Sequence, residues 1–209
     1  MTRILVEFAG LSGTGKSTLI GELCSTYGYP QTQTSRKIRF SQILNLIPFA
    51  LLYVFKAEPR LRQYARNVLE KTFSISRSFE GTYLLDEGTF SYISHISKQM
   101  IAKNGFVLGL SRQAGVQPDC LVLVSCDAAT RVGRIRSREQ ECLDLELDDQ
   151  ANIAKSEKRE ENWRASIGRI SQAGVAVFHV DTSISTVQAA AETVHNWIYA
   201  LEEVRKREQ

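Results

Sequence analysis

Short apolar runs alternate with longer amphipathic or polar stretches along most of the chain. Ile4 to Phe8 is largely apolar and rich in β-branched residues, the pattern of a buried strand. A glycine-rich turn from Gly10 to Gly15 follows it, and Lys16 to Thr26 reads as a helix. Tyr27 to Ser35 reads as a loop with room for a short strand. Arg36 to Phe79 is largely helical by pattern, interrupted at Pro48 and Pro59. Thr82 to Leu85 is the next predicted strand, Phe90 to Lys103 a helix, and Cys120 to Ser125 a third strand. Ala128 to Arg138 and a polar segment reaching Gln172 read as helices. Val175 to Val180 is a further strand, and Ser185 to Arg205 a closing amphipathic helix.

Strands that alternate with helices predict an α/β fold with a parallel sheet of about five strands in a three-layer α/β/α core. Right-handed crossovers place helices on both faces of such a sheet. No internal repeat, linker or low-complexity tract divides the 209 residues, a length that suits one domain.

Composition narrows the function classes. Hydrophobic residues make up 43% and charged residues 23%, which excludes disordered, collagenous and coiled-coil chains. Lys plus Arg is 26 and Asp plus Glu is 23, so the net charge of +3 gives no reason to expect a nucleic-acid partner. Cys24, Cys120, Cys126 and Cys142 contain no C-x-x-C pair, which argues against structural zinc and a disulfide framework. Reduced thiols, with no signal peptide ahead of the first strand, fit a cytoplasmic protein. Ile43 to Phe55 is nearly all apolar but too short to span a bilayer, which needs about 20 residues. It reads as a buried or lid-packing helix, or else as an apolar wall for a greasy substrate or a peripheral membrane contact.

Gly10-Leu11-Ser12-Gly13-Thr14-Gly15-Lys16-Ser17 matches G-x-x-x-x-G-K-[ST] at every specified position. The glycines let successive backbone N–H groups curl inward toward phosphate oxygens, and the following helix adds the positive end of its dipole. Lys16 would neutralise β- and γ-phosphate charge, and the Ser17 hydroxyl would take one place on Mg²⁺, with Thr18 next in line on the helix. A match of this kind arises by chance in about one chain of this length per hundred, and the flanking strand and helix are also present. The motif predicts a nucleotide site but no particular reaction. The N-K-x-D sequence that usually reads guanine in GTPases is absent, and the chain is short for a motor. Phosphoryl transfer to a small molecule is the leading class.

The chain resembles the nucleoside monophosphate kinases, and among them most nearly the thymidylate kinases. The likeness lies in the phosphate loop and its helix, in Tyr83 to Gly88, and from Pro118 onward, where Pro118-Asp119 precedes the third strand. Asp127 and then Arg134-Ile135-Arg136-Ser137-Arg138 look like the R-x-x-x-R that opens the family's lid, after a shorter spacer. His179-Val180-Asp181-Thr182-Ser183 is similar to the loop that wraps the adenine base. The resemblance implies ATP and Mg²⁺ as cofactors, with Arg134 stacked on adenine, Thr182 at the nucleotide and Arg138 on the transferring phosphate. It also implies acceptor-side helices at about 36–80 and a lid at about 139–165, and it leaves room for a homodimer.

Arg131, Arg134 and Arg138, three and four apart, share one helical face. Such a row suits phosphate, or it is a solvated face balanced by Glu139 and Glu141. Asp86, at the carboxyl end of a predicted strand, is placed to hold Mg²⁺ or orient the acceptor. Here the chain departs from the family, because Asp86-Glu87-Gly88 replaces D-R-[YFH] and Phe8-Ala9-Gly10-Leu11-Ser12-Gly13 replaces F-E-G-x-D-G. Glu87 is then a local replacement, a general base for a hydroxyl acceptor, or a surface acid. Arg66 lies near the family's acceptor-phosphate arginine, with Arg36, Arg39, Arg60, Arg62 and Arg77 as other candidates on what is otherwise a solvated helical surface. His95, Trp163 and Trp197 read as structural. Two other readings stay open beside a kinase of monophosphates. One is a kinase of a nucleoside, sugar or other hydroxyl compound, and the other a nucleotide-binding regulator without catalysis. A nucleic-acid-dependent ATPase is the weakest.

Overall fold

The computed structural model describes residues 4–30, 47, 81–86, 118–138, 149–172 and 175–207. In chain order they form β1 (Ile4–Ala9), α1 (Lys16–Tyr27), β2 (Thr82–Asp86), β3 (Cys120–Ser125), α2 (Ala128–Arg136), α3 (Asp149–Gln172), β4 (Ala176–Asp181) and α4 (Val187–Arg207). Among the described residues the sheet has four strands in the order β2-β1-β3-β4, all parallel. At the outer edge of β2 the Leu84 N–H donates to the Pro30 carbonyl at 3.5 Å, so the chain leaving α1 runs beside the position where a fifth strand would pair.

Every residue of β1 and β3 is buried, as a parallel sheet covered on both faces requires. Ile4, Val6 and Phe8 point to one face, where they meet Leu19, Ile20 and Leu23 of α1 and Ala190, Ala191, Val194 and Ile198 of α4. Burying one such aliphatic side chain contributes roughly 1.5–3 kcal/mol. Leu5, Leu85, Leu121 and Leu123 are equally buried, as is Glu7, a carboxylate inside a run the sequence presents as strand core.

Cross-links tie α4 to the amino ends of the strands. Asp119 accepts from the Leu5 N–H at 2.7 Å and from Arg205 at 2.9 Å, and Thr82 donates to Glu202. The far end of α1 is fixed to the middle of α4 by the Tyr29 hydroxyl, 2.8 Å from Nδ1 of His195, which also stacks on Tyr27. Trp197 stacks on Phe178 against the same core.

Several boundaries move from their expected places for local reasons. The left-handed Gly28 ends α1 after Tyr27, its N–H donating to the Cys24 carbonyl at 3.2 Å. The last helix begins at Val187 rather than Ser185 because Thr186 caps it, accepting from the Ala189 N–H at 3.2 Å. The helix expected to reach Arg138 stops at Arg136, where Ser137 turns its hydroxyl back onto the Arg134 carbonyl at 2.9 Å. The helices expected at 36–79 and 90–103 lie outside the described residues, apart from Ile47, which is helical and exposed. Among the described residues no helix is long and apolar enough to cross a membrane.

Candidate functional site

Strand order reverses around β1, because the chain passes to β2 on one side of it and then to β3 on the other. In open α/β sheets the crevice at the carboxyl ends of such strands receives ligands. The Gly10–Ser17 loop occupies it. Gly13 and Gly15 have φ of 86° and 83°, in the left-handed region where other residues are strained. A Cβ on Gly13 would also stand 2.8 Å from Cγ1 of Ile135, so the loop is seated directly on α2. Gly15 is the N-cap of α1 and supplies no side-chain cap, and no acidic residue lies in the first turn. The helix therefore opens on backbone N–H groups with a favourable dipole for an anion.

Lys16 is buried, and its Nζ lies 3.3 Å from Oδ1 of Asp86. The Ser17 hydroxyl donates to the other carboxylate oxygen, Oδ2, at 3.1 Å. Parallel pairing of β1 with β2 in the register Phe8 to Asp86 makes this meeting possible, since it brings the strand end and the loop start level. Ser12 and Thr18 are exposed, while Thr14 is buried with its hydroxyl on the Leu11 carbonyl at 2.9 Å. A hydroxyl beside a half-exposed carboxylate offers the hard oxygen donors that Mg²⁺ prefers, with room left for phosphate and water. Among the described residues no three His, Cys, Asp or Glu side chains cluster as a metal site of their own.

The basic row does not act as one face. Arg131 is buried, and its Nε donates to Ser156 of α3 at 2.6 Å. Arg134 is half-buried and grips Thr182 twice, through Nη1 to Oγ1 at 2.9 Å and through Nη2 to the carbonyl at 3.0 Å. Arg138 lies beyond the end of α2 and is exposed, its N–H on the Ile135 carbonyl at 3.1 Å. Asp127 caps α2 by accepting from the Thr130 N–H at 2.7 Å, and hydrogen bonds from Thr130 hold its carboxyl below the usual range. Arg66, Glu87, the other candidate acceptor-side arginines and His95 lie outside the described residues.

Two contacts carried no signal in the sequence. Cys126 follows β3, and its thiol, pushed up to about 11 mainly by burial, donates to the Gly13 carbonyl at 3.8 Å. Ser156, the partner of Arg131, is one polar residue among many on α3. Beside these residues a cleft of about 410 Å³ is lined by five carboxylates, those of Asp127, Glu157, Glu160, Glu161 and Asp181, with Arg164 as its basic residue. That charge disfavours a polyphosphate in this cleft.

Solved structures with the same architecture include deoxyadenosine kinase from M. mycoides with bound dCTP. It has a TM-score of 0.55 and 12% identity over 94% of this chain and 100% of that one. The same kinase with dATP gives 0.53 and 12% over 94% and 100%, and with dCMP and dCDP 0.52 and 13% over 95% and 100%. This chain has the deoxyadenosine kinase fold. No family model matches the chain, and no curated protein matches it in sequence.

Proposed function

We propose that this chain is a P-loop kinase that transfers the γ-phosphoryl group of ATP to a small acceptor, the whole chain acting as one domain. The observation that carries the reading is the shared hold of Lys16 and Ser17 on Asp86 at the mouth of a complete glycine loop. MgATP, when bound, would supply the transferable phosphoryl group and a charge-neutralising cation. Lys16 exchanges its contact with Asp86 for phosphate oxygens. Ser17 and Asp86 would hold the cation, and the N–H groups at the start of α1 would neutralise the remaining charge. By the family resemblance Arg134 would serve the base-binding side of the nucleotide, and Arg138, where the lid at about 139–165 opens, would act on the transferring phosphate. Little covalent chemistry falls to the protein, so alignment and charge neutralisation supply the acceleration.

For the acceptor, a nucleoside hydroxyl is the better supported of two readings. Structures of similar fold include those of deoxyadenosine kinase, and the arginine that thymidylate kinases carry after the strand-end Asp is here Glu87. A carboxylate at that point would repel a monophosphate by about 1–4 kcal/mol at contact distance, whereas a hydroxyl could use it as a base. The thymidylate-kinase reading is favoured by the R-x-x-x-R run from Arg134 to Arg138. ADP formation from MgATP, measured with deoxyadenosine, deoxycytidine, thymidine and dTMP, decides between them. Saturable turnover of a nucleoside with poor turnover of dTMP is expected. Efficient turnover of dTMP reverses the order, and no ADP with any acceptor overturns the kinase reading.

A further inference from the structure

Thr182, in the turn after β4, sits between the phosphate loop and α2. Its Oγ1 donates to the Thr14 carbonyl at 2.7 Å, with the Ser125 carbonyl a longer second acceptor at 3.2 Å. The same oxygen accepts from Nη1 of Arg134 at 2.9 Å, a direction that is forced because a guanidinium has no acceptor. Two backbone bonds keep the residue in place: its N–H donates to the Ser125 carbonyl at 2.9 Å, and its carbonyl accepts from Nη2 of Arg134 at 3.0 Å. The hydroxyl is thus committed to the loop and to Arg134.

A trans peptide unit is planar, with its C=O and N–H on opposite sides. Holding the Thr14 carbonyl toward Thr182 therefore turns the N–H of Gly15, the other half of that unit, to the opposite side. Gly15 does not impose this orientation by itself, since at φ 83° glycine moves between conformations at little cost. A clamp from outside the loop acts beside the loop's own hydrogen bonds, and Thr182 and Arg134 are the groups packed against this glycine. A Cβ there would lie 3.4 Å from Nη1 of Arg134 and 3.5 Å from Oγ1 of Thr182.

We infer that Thr182, braced by Arg134, is a positioning residue that locks the Thr14–Gly15 peptide so that the Gly15 N–H faces bound phosphate. The inference rests on the loop's being the nucleotide site proposed above. It also gives Thr182 a different part from that of a direct nucleotide ligand.

Calorimetric titration of the full chain with MgADP tests it on Thr182→Val, which loses the hydroxyl, and Thr182→Ser, which keeps it. The valine variant should bind about tenfold more weakly, the loss of one hydrogen bond to a charged group, while the serine variant stays within about threefold of wild type. In ¹⁵N-labelled protein, MgADP should shift the Gly15 amide resonance in wild type and the serine variant, and much less in the valine variant. If circular dichroism shows the valine variant unfolded, Thr182→Ala takes its place with the same expectation. Unchanged affinity without the hydroxyl, or failure of serine to restore it, overturns the inference. Failure of the wild-type chain to bind millimolar MgADP overturns the nucleotide-site reading instead.

Discussion

The Ser17 hydroxyl and the Asp86 carboxylate, 69 positions apart in sequence, meet at 3.1 Å. The other oxygen of Asp86 faces Lys16 at 3.3 Å, so one carboxylate holds two neighbouring side chains of the glycine loop. This arrangement keeps the Lys16 ammonium compensated inside a buried position and keeps a hydroxyl and a carboxylate side by side. Asp86 keeps both contacts while remaining 45% exposed.

Lys16→Ala is expected to lower phosphoryl transfer by at least about 10²-fold, the scale for losing one preorganised charge-stabilising group. Its former partner Asp86 stays solvated, so the melting temperature should move by no more than a few degrees. Steady-state ADP formation and a thermal melt check both parts. Wild-type turnover would remove the loop from the catalytic machinery.

Asp86→Asn keeps the shape and removes the charge. The Mg²⁺ concentration needed for half-maximal rate should rise about tenfold or more, with kcat falling as well. A Mg²⁺ titration at fixed ATP reads this directly. A curve that overlays the wild-type one would mean that Asp86 does not hold the cation.

Arg134→Ala and Arg138→Ala should separate. Arg134 makes two hydrogen bonds to Thr182, so its loss should raise the KM for ATP and cost about 1–3 kcal/mol of stability. Arg138 is exposed beyond α2, so its loss should leave the melt unchanged and lower kcat alone. Kinetics for both variants that match wild type would leave Arg134 a structural residue and Arg138 a solvated one.

The cap on α2 predicts a pH dependence. Hydrogen bonds from Thr130 lower the folded-state pKa of Asp127 below its unfolded value. The stabilisation is therefore present above the ordinary carboxylate range and is lost as pH falls through the lowered value, below about pH 4. Asp127→Ala should cost about 1 kcal/mol at neutral pH. Asp127→Asn, which caps without titrating, should lose less melting temperature than wild type between pH 7 and pH 3. Parallel curves for the two would show that Asp127 contributes nothing to the acid transition.

The local structure was legible in the sequence, because its physical causes act over a few residues. The glycine loop, the strand before it and the helix after it follow from spacing and residue type alone. So do the strands that begin at Cys120 and Thr82 and the helix start after Asp127. Helix ends shifted by a residue or two wherever a side chain such as Thr186 or Ser137 claimed a terminal backbone group. The tertiary structure alone decided which distant groups meet. Arg131 and Arg134 look alike in sequence, yet one is buried on Ser156 and the other braces Thr182. Glu7 reads as part of a strand, and only the covering of both sheet faces makes it a fully buried carboxylate. The sheet order β2-β1-β3-β4 sets Asp86 beside Ser17 and Thr182 behind Thr14. Spacing within a single element encodes neither meeting, because each depends on how strands far apart in the chain pair and on which face their connections pack.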